Sequence, residues 1–208
     1  MNSPLDQNTG SDTGLKTALE AGVDEAGRGC LAGPVGVSAV ILDPSLNWDF
    51  VDDSKKLTAD QRSEMAQQII AGALAYHVEM VDVATIDTIN ILQATLLGMK
   101  RCVESLSLIP GEVLIDGNRI PDIHLPCRAI IGGDAQVKCI GAASILAKTA
   151  RDDLMIELDQ RHPQYGFAQH KGYGTPEHLA ALKNHGPIDE HRKSFAPVRA
   201  MIQNELPL

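Results

Sequence analysis

Residues 21–42 read AGVDEAGRGCLAGPVGVSAVIL, and this stretch sets the class of the fold. Val35–Leu42 is a β-branched apolar run bounded by Gly33-Pro34 and Asp43-Pro44, the pattern of a buried strand. Ala21–Asp24, just ahead of it, is a shorter strand candidate. Working outward, Thr58-Ala59-Asp60-Gln61 has the spacing of a capping box and opens a helical pattern through Met65, Ile69, Ala73 and Tyr76. Val78–Val83 reads as a strand. Thr88–Leu108 reads as a long helix striped by Ile89, Leu92, Leu96, Met99 and Val103, and Pro110-Gly111 stops it. Glu112–Ile115 and Ala129–Ile131 predict short strands. Ser144–Gln160 predicts a strong helix with Ile145, Ala150 or Thr149, Leu154 and Leu158 inward, and Glu177–Asn184 a last one. Strands first, then helices alternating with strands, predict an α/β domain built on a mixed sheet with a helical C-terminal portion.

The remaining composition narrows the function. Residues 1–18 are rich in Ser, Asn, Asp, Gly and Thr and read as a disordered leader, leaving 19–208 as one domain. No uncharged stretch exceeds 14 residues, short of the ~18 needed to span a bilayer. The start carries neither the basic residues nor the apolar run of a secretory signal. The four cysteines (Cys30, Cys102, Cys127, Cys139) are widely spaced without a C-x-x-C pair, which suits free thiols in the cytoplasm. The formal charge of −9 argues against a uniformly basic nucleic-acid binder. Yet residues 1–53 hold 9 Asp+Glu against 2 Lys+Arg, so the rest of the chain is nearly balanced.

Three predicted strands finish on an acidic residue beside glycine: Val23-Asp24-Glu25-Ala26-Gly27, Leu114-Ile115-Asp116-Gly117 and Ile131-Gly132-Gly133-Asp134. One such acid alone is an ordinary turn residue. Three in one domain can converge, because strand ends meet at a sheet edge. Converging carboxylates raise one another's pKa unless cations neutralise them. Oxygen-only ligands select hard ions, Mg²⁺ or Mn²⁺, over zinc. Two such ions about 3.5–4 Å apart are the apparatus of in-line displacement at a phosphodiester. Neighbouring residues on a strand face opposite ways, so Asp24 and Glu25 reach one site only if the strand distorts or Glu25 acts through its carbonyl.

Other residues suit a nucleic acid. Gly27-Arg28-Gly29 lets main chain approach a sugar hydroxyl closely. Ser54-Lys55-Lys56 supplies two adjacent cations for phosphate, and His170-Lys171-Gly172-Tyr173-Gly174-Thr175 sets an aromatic between glycines where it can lie against a sugar or base. Lys148 and Arg151 fall on the polar face of the Ser144–Gln160 helix.

Five ordered motifs, VDEAGRG, DSKKL, LIDGN, the GGD ahead of AASILAKTARD, and PQYGFAQHKGYGT, together resemble the bacterial type 2 ribonucleases H, the ribonuclease HII family, over about residues 20–200. The resemblance implies a ribonuclease H-like fold, a mixed five-stranded sheet flanked by helices, with a helical C-terminal extension. It implies a metal-dependent endonuclease that cuts the RNA strand of RNA–DNA hybrids and incises at single ribonucleotides in duplex DNA, leaving 3′-hydroxyl and 5′-phosphate ends. The family's acidic residues fall on Asp24, Glu25, Asp116 and Asp134, which would hold Mg²⁺ or Mn²⁺. Its 2′-hydroxyl sensor falls on Gly27, Arg28 and Gly29, its junction tyrosine on Tyr173, and its phosphate-binding loop on Ser54, Lys55 and Lys56. A monomer is expected, and the C-terminal MIQNELPL lacks the paired aromatics of a sliding-clamp peptide. Two other readings stand beside this one. A hybrid-binding protein without catalysis would gain nothing from four carboxylates facing phosphates. An ATPase of related architecture would need a phosphate loop, and G-x-x-x-x-G-K-[ST] is absent.

Overall fold

The computed structural model describes residues 19–51 and 58–204. The leader and the candidate phosphate loop Ser54, Lys55 and Lys56 lie outside the described residues.

The apolar runs pair into one five-stranded sheet. Its strands are β1 (Glu20–Ala26), β2 (Val35–Leu42), β3 (Ala73–Val81), β4 (Glu112–Asp116) and β5 (Cys127–Ile130), in the order β3-β2-β1-β4-β5. β2 runs antiparallel to β1 and β3, whereas β1, β4 and β5 are mutually parallel. The sheet is mixed, as expected, and helices cover both faces.

α1 (Ala59–Gly72) begins at Thr58, where both halves of the capping box form: the Gln61 N–H donates to the Thr58 hydroxyl and the Thr58 N–H to the Gln61 side chain. It ends a turn earlier than the periodicity suggests. Ala73 and Tyr76 belong to β3, where Tyr76 pairs with Val40 across the free edge of β2. The unpaired main chain of β2 decides this boundary, because a buried central strand needs both neighbours. β3 stops at Val81, and Val83 already belongs to α2 (Val83–Glu104), which starts earlier than Thr88 and is broken at Asn90 (φ 68°). The Asn90 side chain then accepts from the Gln93 N–H and acts as a second cap.

The long α3 (Lys138–Arg161) starts ahead of Ser144 and crosses the other sheet face. It lies directly on β1: a Cβ on Gly22 would fall 2.0 Å from the carbonyl carbon of Cys139. Ala142, Ala143, Ile145 and Leu146 pack with Val40, Trp48 and Ile69 on that side, while Val23, Val37, Met99, Cys102 and Ile115 form the core under α2. The short α4 (Phe167–His170), α5 (Pro176–His185) and α6 (Ala196–Asn204) gather around Leu31, Met155, Leu158, Tyr165, Phe167 and Val198, so the C-terminal portion is packed onto the end of α3. No helix among the described residues is long and apolar enough to cross a membrane.

Candidate active site

Because β1, β4 and β5 are parallel neighbours, their C-terminal ends share one sheet edge, the place where open α/β sheets leave a crevice. Val23 and Ile115 are the last registered pair of β1 and β4. One step further stand Asp24 and Asp116, both on the face shared with Gly22 and Leu114, toward α3. The turn after β5 brings Gly133 and Asp134 to the same edge. The Asp116 Oδ1 accepts from the Gly133 N–H (2.7 Å) and the Asp134 N–H (3.4 Å), tying the third acidic segment to the second.

Asp24 is 6% exposed, and its Oδ1 accepts from the Glu25 N–H at 2.7 Å. Burial pushes its carboxyl up to about 7; a hydrogen bond from Ser144 on α3 opposes this, and the charges of Glu25 and Asp116 add to it. Glu25 is also raised, first by burial, with Arg28 opposing and Asp116 reinforcing. Its side chain accepts from the Arg28 guanidinium at 3.1 Å. β1 stays regular through Ala26, paired with β2 at every step, so the strand does not distort to bring Glu25 beside Asp24. Among the described residues no three carboxylate, imidazole or thiol groups are already gathered into a metal cage. A hard divalent ion does not require one, since Mg²⁺ is typically held by one or two carboxylates together with waters and substrate phosphates. The donor set, carboxylate oxygens alone and one of them strained by burial beside like charges, fits such an ion.

Gly27, Arg28 and Gly29 follow directly. Gly27 has φ +88° and its Cβ would lie 1.9 Å from the Arg151 Nε, so only glycine fits. Gly29 has open space where a side chain would be, leaving its main chain accessible. Tyr173 is brought alongside: the Leu31 N–H donates to the Gly172 carbonyl at 2.7 Å, and the Tyr173 hydroxyl is near enough to the Cys30 thiol to interact with it. The ring remains 46% exposed. Lys171, just ahead of Gly172, turns its ammonium back onto the Ala168 carbonyl.

Arg151 corrects a sequence expectation, for it is 1% exposed and not on a polar face. Its guanidinium donates to the carbonyls of Pro34, Ala32 and Lys171, stapling the glycine loop to the tyrosine loop. Arg192, fully buried and not singled out in the sequence, donates to Gly27, Arg28, Gly33 and Pro34. Lys148 does lie near the surface, paired with Asp152. The stripe Ile140, Ala147, Arg151, Met155 and Leu158 held a readable signal for Arg151, since it falls in phase with buried positions. Ser144 and Arg192 had no local signal, because each partner lies far away in the chain.

A family model described as ribonuclease HII matches residues 21–198. The ribonuclease HII of Paraburkholderia xenovorans (strain LB400) is 57% identical over 182 residues, 87% of this chain and 73% of that one. That of Burkholderia vietnamiensis (strain G4 / LMG 22486) is 54% identical over 199 residues, 96% of this chain and 92% of the other. Among solved structures, the ribonuclease H2 from Pyrococcus horikoshii OT3 is similar with a TM-score of 0.76 at 25% identity, covering 89% of this chain and 97% of that one. Likeness of this extent makes the chain a member of the ribonuclease HII family and so an endoribonuclease of the ribonuclease H type.

Proposed function

We propose that this protein hydrolyses the RNA strand of RNA–DNA hybrids and incises duplex DNA at single embedded ribonucleotides, leaving 3′-hydroxyl and 5′-phosphate ends. The observation that carries the reading is the placing of Asp24 and Asp116 on one face of adjacent parallel strands, one residue beyond the registered pair Val23 and Ile115. Asp24, Glu25, Asp116 and Asp134 are the residues that would hold divalent cations, Mg²⁺ or Mn²⁺. When bound, such ions polarise the phosphodiester and lower the pKa of water.

The protein's own residues supply the selection. Gly27–Gly29 offers main-chain groups to the ribose 2′-hydroxyl, the group that distinguishes RNA from DNA. The half-exposed ring of Tyr173 offers a face to the sugar at the RNA-to-DNA junction. Arg28, Ser54, Lys55 and Lys56 contribute phosphate contacts that position the strand without reading sequence. None of these roles asks for a strongly basic surface, which suits the acidic chain, and a cytoplasmic location suits its free thiols.

Incision of a duplex with one embedded ribonucleotide tests the whole reading. Either Mg²⁺ or Mn²⁺ should support cleavage on the 5′ side of the ribonucleotide, with the stated ends, and a chelator should abolish it. Cleavage that persists in chelator, or a substrate left intact with both ions, overturns it.

A further inference from the structure

Five of the seven histidines fall between positions 162 and 191, and two of them, His178 on α5 and His191 after it, are fully buried. Their hydrogen bonds run in one direction. The Ile188 N–H donates to the His191 Nδ1 at 3.0 Å, so that nitrogen is an acceptor and the ring proton sits on Nε2. The His191 Nε2 faces the His178 Nε2 at 3.1 Å and donates to it. The proton of His178 is thereby assigned to Nδ1, which donates to the Tyr173 carbonyl at 2.9 Å. A second proton on either ring would set two N–H groups against each other.

The other end of the tyrosine loop is held the same way. His170 stacks on His178 with centroids 4.4 Å apart, and its Nδ1 accepts from the Gly172 N–H at 3.2 Å while its Nε2 meets the Tyr165 carbonyl. The titratable groups facing the pair are His162, His170 and Tyr165, whose ring lies 4.9 Å from that of His191. Burial holds both imidazoles below their ordinary range, His191 at about 4. Both rings are therefore neutral near pH 7.

We propose that His191 and His178 form a positioning relay that fixes the main chain of Tyr173 and so sets how well the enzyme incises at a ribonucleotide junction. The relay rests on the reading of Tyr173 as a substrate contact. It differs from simple packing in requiring a donor at His178: His178→Phe keeps a somewhat larger aromatic ring without the donor, whereas His178→Asn leaves a void but keeps an amide N–H on the Nδ1 side.

The test measures kcat and KM for incision at a single embedded ribonucleotide and for cleavage of a uniform RNA–DNA hybrid. His178→Phe should lower kcat/KM at the junction at least tenfold, with a smaller loss on the hybrid. His178→Asn should recover most of that loss although it packs worse. The reverse ranking, or equal loss on both substrates, overturns the relay. In a Tyr173→Ala background His178→Phe should cost under twofold, and a further tenfold loss there also overturns it. If Tyr173→Ala impairs the junction and His178→Phe does not, the relay alone fails. If Tyr173→Ala changes nothing, the substrate reading fails, and the relay's role with it. Nitrogen-15 NMR of the wild-type rings at pH 6–8 is independent of any variant's folding. It should show His178 protonated only on Nδ1 and His191 only on Nε2, and the opposite tautomer or a charged ring overturns the assignment.

Discussion

Asp24 and Asp116 stand side by side one residue beyond the paired Val23 and Ile115, on neighbouring parallel strands and on the face turned to α3. The structure places them there by register alone, with Gly22 letting α3 close over the same face. Burial holds the Asp24 carboxyl near 7, and the charges of Glu25 and, to a smaller extent, Asp116 add to it. Such an arrangement costs stability in the isolated protein, and a bound cation would relieve it.

Replacing Asp116 with Asn separates the two roles of that side chain. The Asn oxygen can still accept from the Gly133 N–H, so the turn before Asp134 survives and thermal unfolding should shift little. The charge that would hold a cation is gone. Several kcal/mol of transition-state stabilisation, at 1.36 kcal/mol per tenfold, predicts a loss of cleavage on the order of 10³-fold. Near-wild-type cutting by a folded Asp116→Asn protein would remove Asp116 from the site.

Asp24→Asn should abolish cleavage and yet stabilise the metal-free protein. The native carboxyl titrates near 7, against 3.8 for the group unperturbed. Between those values the native state binds more protons than the unfolded one, so stability falls as pH rises through that window. About three pH units at 1.36 kcal/mol each predicts a gain on the order of 4 kcal/mol for the variant in chelator at pH 8, fading toward pH 4. Added Mg²⁺ or Mn²⁺ should raise the wild-type melting temperature more than the variant's. A variant less stable than wild type at pH 8 without metal would contradict the burial argument.

Much of this edge was readable from the sequence, and the exceptions have physical causes. The run Val35–Leu42 and the capping box at Thr58 are local patterns, and both form as the residues suggest. The acid–glycine endings after Val23, Ile115 and Ile131 mark chain leaving the core, and the fold brings them to one sheet edge. Ala73 and Tyr76 continued a helical period by coincidence, and only the pairing demand of β2 reveals them as strand. Arg151 carries a formal charge, which disguised its place on the buried stripe. Its partners, Ala32, Pro34 and Lys171, become neighbours only after folding.

Arg192→Met should be costly for the same reason. One guanidinium serves the carbonyls of Gly27, Arg28, Gly33 and Pro34; a thioether removes that donor from the buried Gly33 carbonyl and weakens the loop elsewhere, although Pro34 keeps Arg151 and Gly27 keeps the Cys30 N–H. At about 1–3 kcal/mol for a buried unsatisfied group, a total near 3 kcal/mol is expected, or a fall in Tm of roughly 6–12 °C for a chain of this size. Arg192→Lys should recover little, because a point ammonium lacks the planar fork that spans several carbonyls. Calorimetry of the two variants checks this, and a Lys variant as stable as wild type would show that charge alone suffices.

The buried histidines should impose the opposite pH slope from Asp24. His191 titrates near 4 in the native protein against 6.5 unperturbed, with burial the main cause. Between these values the unfolded state binds the extra proton, so the contribution is complete above pH 6.5 and is lost as pH falls toward 4. Two and a half units correspond to on the order of 3 kcal/mol. In wild type the fall from Asp24 works against this rise over the same pH range. Asp24→Asn should uncover it, giving urea midpoints that climb from pH 4.5 to 6.5. Adding His191→Gln, which cannot titrate and keeps a donor toward His178, should flatten the climb again. A double variant that climbs as steeply as Asp24→Asn alone would assign the slope to groups other than His191.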